Sequence, residues 1–153
     1  MKRIKVLAFV ILTTLLVSGC KPKGLEGLVP AKGQVLYNGE ALVEAIVTFS
    51  PKNGTGRSAT ATTDTNGMFA MGTLNPKDGA FPGEYLVTVT KYVVQNPMTN
   101  EEIDEYFVKY DKEPEIISKS VISEKYATFN TSGLSATVPE KGVKDLKFEL
   151  KSE

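Results

Sequence analysis

The 153-residue chain contains no histidine, no tryptophan and a single cysteine, Cys20. Without histidine, a nucleophilic serine would need a lysine or a carboxylate as its base, and a zinc site would have to be built from carboxylates alone. No glycine-rich loop follows a predicted strand and opens a helix, so the common phosphate-binding motifs are missing too. The sequence therefore predicts a protein that is not an enzyme and that uses no cofactor and no metal.

The chain also lacks an apolar run long enough to cross a membrane. The longest run, Val6–Val17, has twelve residues and is interrupted by two threonines, whereas a membrane-spanning helix needs roughly 20. Three basic residues precede it within residues 1–5, and Ser18 and Gly19 follow it. A basic start, a short apolar run and small residues are the parts of a secretory signal peptide, which is predicted over residues 1–19.

The residues that end at Cys20 resemble a bacterial lipobox. Val17, Ser18, Gly19 and Cys20 match every position of that pattern, in which the cysteine thiol is lipidated and the chain is cleaved before it. The resemblance implies a diacylglycerol thioether on Cys20 and an amide-linked acyl chain such as palmitate. Two or more chains anchor a protein stably, at about 0.8 kcal/mol per buried CH₂. An ordinary signal peptide followed by an unrelated cysteine is the alternative.

Charge and the residue after the cysteine indicate where the protein resides. Lys21 stands where an inner-membrane retention signal would usually have aspartate, so the resemblance favours the outer membrane in a host that has one. Residues 1–19 contain three of the 18 basic residues and none of the 18 acidic ones, which leaves 15 against 18, or about −3. This charge argues against a nucleic-acid partner. The predicted partners are the membrane, through the lipid on Cys20, and an unidentified envelope protein or glycan.

The mature chain is predicted to be a short tether followed by one domain. Four prolines and glycines lie between residues 22 and 30, so residues 20–31 are predicted to be a lipidated N-terminus and flexible spacer. Over residues 32–153, short alternating runs separated by Gly, Pro and Asn are typical of an all-β sandwich. The predicted strands begin near Gly33, Ala41, Arg57, Met68, Glu84, Ser132 and Val143, which makes seven.

Two turns are predicted from their residues. Asn38-Gly39 predicts a tight hairpin, because a type I′ turn needs positive φ at both central residues. The second strand is predicted over residues 41–50, with Val43, Ala45, Val47 and Phe49 toward the core. Asp64-Thr65-Asn66-Gly67 begins like a calcium loop, but no glutamate follows at the required spacing. A hairpin turn is therefore predicted there.

Seven segments, in order, carry a family resemblance. They are Gly33–Val35, Ala45–Phe49, Ala61–Phe69, Gly79–Val89, Lys125-Tyr126, Thr131–Val138 and Leu146–Leu150. Together they look like the carboxypeptidase-regulatory-like, transthyretin-like domain found in bacterial lipoproteins. The resemblance covers about residues 32–151 and implies a seven-stranded Greek-key β-sandwich that assists folding and interaction. Relatives that hydrolyse a urate derivative use His, Arg and a serine-rich C-terminal motif that this chain lacks, so that activity is not expected.

An insert over about residues 94–131 separates the fifth predicted strand from the last two. Thr99 and Glu102 form a capping-box pattern at the start of a helix predicted to have two to three turns. The apolar residues of this helix share one face, since they fall at i, i+3, i+4 and i+7. They are Ile103, Tyr106, Phe107 and Tyr110.

The apolar helix face has two interpretations. The preferred prediction is that it packs on the sheet as a lid. The alternative is an exposed aromatic surface for a partner or glycan, with Tyr92, Tyr106 and Tyr110 as the contact residues.

The sequence thus predicts a lipid-anchored, non-catalytic domain of the cell envelope that acts as a scaffold or protein-binding module. A glycan-binding module is the first alternative, because sandwich folds often present aromatic rings to sugar faces. A pilin- or adhesin-like domain similar to the collagen-binding B type is the second. That type has an isopeptide crosslink catalysed by a buried glutamate, and Lys91 replaces the characteristic glutamate after the strongest predicted strand.

Overall fold

The computed structural model describes residues 25–152. The predicted signal peptide, the lipobox-like segment and Cys20 lie outside these residues. The strands are β1 (Ala31–Tyr37), β2 (Glu40–Ala41), β3 (Ile46–Pro51), β4 (Ala59–Thr62), β5 (Met68–Ala70), β6 (Gly83–Thr90), β7 (Tyr92–Val94), β8 (Ser118–Ser120), β9 (Leu134–Val138) and β10 (Val143–Leu150). Helix α1 (Asn100–Tyr110) lies between β7 and β8, and a 3₁₀ helix (Glu124–Ala127) precedes β9. None of the helices within residues 25–152 is long and apolar enough to span a membrane.

The strands form two four-stranded sheets and a separate two-stranded ribbon. In the first sheet, β1 pairs in parallel with β10 on one side and antiparallel with both β2 and β5 on the other. The second sheet has the order β4-β3-β6-β9 and is antiparallel throughout. The ribbon consists of β7 and β8. The chain is thus mostly β with several antiparallel pairings, which is consistent with a β-sandwich.

One apolar core joins the two larger sheets. The first sheet contributes Val35, Phe69, Phe148 and Leu150, and the second contributes Val47, Phe49, Tyr85, Val87, Val89, Ala136 and Val138. The ring of Phe49 is at the centre, with centroids 6.2 Å from Phe69, 6.2 Å from Phe148 and 5.5 Å from Tyr85. Alternation along each strand places these residues inward, as the sequence pattern predicted.

The predicted Asn38-Gly39 turn is present, with φ of 52° and 87°, and it pairs β1 with β2. The prediction of one strand over residues 41–50 was wrong, because the chain leaves the first sheet after β2 and enters the second at β3. Within the crossing, Leu42 is buried whereas Val43 is only half-buried. Residues 42–45 therefore connect the two sheets.

A buried threonine fixes this crossing. The Thr63 hydroxyl donates a 2.6 Å hydrogen bond to the carbonyl of Leu42 and accepts a 2.8 Å bond from the N–H of Ala45. Both backbone groups would otherwise be buried without partners in the gap between the sheets. One side chain therefore stabilises the passage of the chain from one sheet to the other.

The folded domain includes residues before residue 32. Val29 forms an antiparallel bridge with Ala80, and Ala31 is buried within β1. The N–H of Val143 also donates a 2.7 Å hydrogen bond to the carbonyl of Pro30. Residues 29–31 therefore belong to the folded domain, although they were predicted as part of the spacer. Six of the seven predicted strands coincide with observed ones, and β3 covers the second half of the strand predicted over residues 41–50. The short β2, β7 and β8 are additional strands.

Candidate functional site

The ribbon and helix α1 form one continuous segment, residues 92–121, which we call the arm. It extends β6, since β7 starts two residues after β6 ends. Tyr92 pairs with Ser120 and Val94 with Ser118. Backbone hydrogen bonds from Gln95 to Ile117 and from Val121 to Lys91 lengthen the ribbon at both ends. A two-stranded ribbon is marginal by itself in water, so the arm depends on its additional contacts.

One such contact is made by a side-chain amide where the ribbon opens toward the helix. Nδ2 of Asn96 donates a 2.7 Å hydrogen bond to the carbonyl of Glu115, and its Oδ1 accepts a 2.8 Å bond from the N–H of Ile117. The Asn96 amide therefore links the chain before α1 to the chain after it, where the two strands no longer pair through their backbones.

Helix α1 begins at the predicted capping box. The Thr99 hydroxyl accepts a 3.2 Å hydrogen bond from the N–H of Glu102, and a Glu102 carboxylate oxygen accepts a 2.7 Å bond from the N–H of Thr99. At the other end, Asp111 adopts a left-handed conformation with φ of 52°, and its N–H bonds to the carbonyl of Phe107. The predicted helix and its N-terminal cap are both confirmed.

The predicted packing of this helix is wrong. None of its residues is buried, and Phe107, Tyr110 and Val108 are 50%, 50% and 85% exposed. The helix is joined to a narrow two-stranded ribbon, whereas the two broad sheets already bury their inner faces against each other. A lid packed on the sheet is therefore replaced by the alternative, an exposed aromatic surface.

Exposed apolar side chains concentrate in the arm. Of the thirteen large apolar residues that are exposed within residues 25–152, nine lie in this segment of 30 residues. They are Tyr92, Val93, Val94, Phe107, Val108, Tyr110, Ile116, Ile117 and Val121. Single exposed apolar residues are ordinary on a protein surface, whereas a concentration of them marks an interaction site.

The three predicted contact tyrosines all belong to the arm. Tyr106 and Tyr110 lie one turn apart on α1, with ring centroids separated by 4.5 Å, and the Lys109 ammonium is 5.0 Å from the centroid of Tyr110. Tyr92 is 55% exposed on β7, and no ring of the described part of the chain stacks on it. The structure thus brings two of the tyrosines together and leaves the third on the ribbon.

The aliphatic part of this surface was not predicted. Tyr92, Val93 and Val94 are consecutive and all exposed, as are Ile116 and Ile117. Successive residues of a strand point to opposite faces, so both faces of the ribbon carry apolar side chains. The available signal was this absence of alternation, which is unusual for a strand that packs one face on a core.

A shallow cleft of about 520 Å³ lies at the opposite end of the sandwich. It is lined by Arg57, Phe81 and Tyr85 among others, and its Lys52 pairs with Glu84 at 3.1 Å. Burial raises the pKa of the Tyr85 hydroxyl, which donates a 2.8 Å hydrogen bond to the carbonyl of Phe81. This tyrosine is therefore a structural hydrogen-bond donor in the wall of the cleft.

The carboxylate of Asp78 has a structural role. Asp78 accepts hydrogen bonds from the N–H groups of Thr73, Leu74 and Asn75. Burial opposes ionisation of this carboxyl, but those backbone bonds outweigh it and hold its pKa below its usual range. Within residues 25–152, no three His, Cys, Asp or Glu side chains are grouped so that they could hold a metal ion.

No protein-family model and no curated protein matches the chain. Among solved structures, a 9R-lipoxygenase from Cyanothece PCC8801 is similar over 86% of this chain and 17% of its own length, with 16% sequence identity and a TM-score of 0.36. The chain therefore spans about a sixth of that protein. A likeness at this TM-score carries no argument about fold or function.

Proposed function

We propose that this protein is a lipid-anchored, non-catalytic domain of the cell envelope, of transthyretin-like Greek-key type, that binds a protein partner through its arm. The observation that carries the proposal is the concentration of nine exposed apolar residues in residues 92–121. Leaving such residues in water has a free-energy cost of about 25 cal/mol per Å². A partner that covers them recovers that free energy on binding.

The placement of the arm supports a role away from the membrane. Val29, the first residue in a β-bridge within residues 25–152, pairs with Ala80 just before β6 begins, whereas the arm follows the end of β6 at Thr90. Eight residues of strand at roughly 3.3 Å each separate these two ends by about 25 Å. A lipid on Cys20, with a spacer of several residues, would hold one end near the membrane. The opposite end then presents the arm.

The anchor has a direct test. Substitution Cys20→Ser removes the proposed lipid attachment, so the variant should leave the membrane fraction of the cells. The outer-membrane fraction should contain the unaltered protein. A Cys20→Ser protein that remains in the detergent-extracted membrane fraction would contradict the anchor without affecting the assignment of the arm as a binding surface.

The binding role has a separate test by photocrosslinking in the native envelope. A benzophenone amino acid placed at Phe107 or Val108 should produce a discrete protein adduct, because both side chains are exposed on α1. The matched control is the same group at Lys147, an exposed residue on β10. Equal adduct yields at the arm and at Lys147 would show that the arm is not a specific contact surface.

The paired tyrosines of α1, of which Tyr110 is exposed and Tyr106 half-buried, favour glycan binding as a second candidate function. The adjacent rings of Tyr106 and Tyr110 offer an aromatic surface of the kind on which sugars stack. A glycan array probed with the Cys20→Ser protein tests this role, with Tyr106→Ala and Tyr110→Ala as controls. Hits that disappear in both variants would support a glycan-binding module, and the absence of hits would leave the protein-binding role.

A further inference from the structure

The arm is the acidic part of the protein. Residues 92–121 contain seven of the 18 acidic residues and three of the 18 basic ones, which is a net charge of about −4. The rest of the predicted mature chain has 11 acidic and 12 basic residues, or about +1. All seven acids are exposed and fall within residues 101–115, namely Glu101, Glu102, Asp104, Glu105, Asp111, Glu113 and Glu115. The exposed apolar surface of the arm is therefore accompanied by negative charge.

The charge of these acids is not compensated within the protein. Within residues 25–152, none of the seven carboxylates forms an ion pair. Glu102 is used in the helix cap, where its carboxylate accepts a hydrogen bond from the N–H of Thr99. Lys109 is the one basic residue of α1, and its ammonium lies over the ring of Tyr110. The acids outside the cap thus face solvent, where a partner can reach them.

Phe107 is the residue at which the charge and the apolar surface meet. Its ring is 50% exposed and contacts no other ring and no cation of residues 25–152. Asp104 precedes it by three residues and Asp111 follows it by four, so both are its neighbours on the helix surface, with roughly 5–6 Å between Cβ atoms. Lys109, two residues after Phe107, lies on another side of the helix. An exposed ring beside two carboxylates is a favourable environment for a cationic side chain.

The negative charge of the arm discriminates between classes of partner. A bilayer with anionic headgroups carries charge of the same sign. A second copy of this chain would set four acids and one lysine of α1 against the same residues, and like charges across an interface are unfavourable. A neutral glycan would gain nothing from the carboxylates. A basic protein surface gains from both the carboxylates and the apolar side chains.

We infer that the partner of the arm is a protein with a basic contact surface, and that an arginine or lysine of this surface stacks on Phe107 beside Asp104 and Asp111. This inference rests on the proposed function, because it names the chemistry of the partner of the same surface. Arginine suits the position best, since its planar guanidinium stacks on an aromatic face while its N–H groups donate to carboxylates. The net charge of the arm also speeds the encounter with a basic partner.

Photocrosslinking from Val108 in the native envelope tests the role of the two aspartates. A benzophenone amino acid at this exposed residue leaves Phe107 in place. The double variant Asp104→Asn/Asp111→Asn keeps the size of both side chains and removes their charges. Its adduct yield should fall about fivefold, which is the loss expected for two exposed ion pairs. Mass spectrometry should place the crosslink in a segment of the partner that is rich in arginine or lysine.

The matched control removes the same number of charges from a different side of the same helix. Glu101 and Glu105 lie six and two residues before Phe107, so they do not share its face. Glu101→Gln/Glu105→Gln should lower the adduct yield by less than about twofold, because salt screens charges that do not touch the partner. Equal losses from the two double variants would overturn the position assigned to the cation.

A peptide assay gives a second readout. A labelled peptide of alternating arginine and leucine should bind the purified Cys20→Ser protein, and its fluorescence anisotropy should fall as salt rises. The counterpart with glutamate in place of arginine should not bind. Phe107→Leu keeps an apolar residue with good helix propensity but removes the ring, so it should weaken binding of the arginine peptide about threefold. Equal binding of the two peptides, or no effect of Phe107→Leu, would overturn the inference.

The outcomes at Val108 separate this inference from the proposed function. Adducts that map to an acidic or neutral segment, or whose yield is unchanged in Asp104→Asn/Asp111→Asn, would overturn the basic partner and leave the binding role of the arm intact. The absence of any specific adduct from the arm would instead contradict the binding role itself.

Discussion

The rings of Phe49 and Phe148 meet edge to face across the two sheets, with their centroids 6.2 Å apart and their planes at 86°. Both side chains are buried, and the same Phe49 ring also contacts Phe69. One residue of β3 therefore links both layers of the core.

Substitution Phe49→Ala should lower the free energy of unfolding by about 3–5 kcal/mol, because it removes apolar contacts and leaves a cavity between the sheets. Urea denaturation followed by circular dichroism measures this change. Phe129, which is 37% exposed, is the control. If Phe129→Ala destabilised the domain as much as Phe49→Ala, Phe49 would not be the centre of the core.

The crossing between the sheets depends on the hydroxyl of Thr63. Thr63→Val keeps the shape of the side chain but leaves the Leu42 carbonyl and the Ala45 N–H buried without their partner. An unsatisfied buried group costs about 1–3 kcal/mol, so the free energy of unfolding should fall by at least that amount. Thr62→Val, at the neighbouring exposed residue, is the control. It should change the free energy of unfolding by less than about 0.5 kcal/mol. Similar effects from both variants would contradict this role of Thr63.

The lowered pKa of Asp78 predicts how stability changes with pH. The folded state favours the ionised carboxylate of Asp78. Its contribution to the free energy of unfolding is therefore fully present above the unfolded pKa of about 3.9, and it is lost as pH falls through the lower folded pKa. Asp78→Asn should therefore be less stable than the unaltered protein at pH 6. The difference should shrink below about pH 4. Exposed Asp145→Asn is the control, and a pH-independent difference for Asp78→Asn would contradict the prediction.

The cap of α1 should control local order rather than global stability, since the helix buries none of its residues. Thr99→Ala removes the side chain that accepts the Glu102 N–H, at a cost of about 1 kcal/mol to the helix. Amide hydrogen exchange over residues 100–110 should speed up about fivefold, while the urea midpoint of the whole domain should not change. Thr99→Ser keeps the hydroxyl and should exchange like the unaltered protein. A matching loss of global stability would show that α1 is part of the cooperative core.

Local signals in the sequence predicted much of this structure. The Asn38-Gly39 turn, the alternation of β6 and the capping box of α1 depend on neighbouring residues only, and the structure has all three. The transfer of the chain at residues 42–45 could not be predicted in this way. It depends on a hydrogen bond to Thr63, a residue some twenty positions later in the chain.

Local sequence patterns could not predict that the arm is exposed, either. The helical face with Tyr106 and Phe107 has the same spacing whether it is covered or open, because periodicity identifies a face and not the layer opposite it. The pairing of Val93 with Lys119 in a separate ribbon is likewise a tertiary feature. The sequence singled out Tyr92, Tyr106 and Tyr110 as candidate contact residues, whereas it did not indicate the wider apolar surface around them.

The central claim is that the arm is covered by a partner in the envelope. Hydroxyl-radical footprinting of Tyr92, Tyr106 and Tyr110, compared between the purified protein and intact envelopes, tests it most directly. Met68 is 41% exposed on β5, away from the arm, and serves as the internal reference. We predict that oxidation of the arm tyrosines falls several-fold in envelopes while that of Met68 does not change. Equal oxidation of the arm in both preparations would contradict the account.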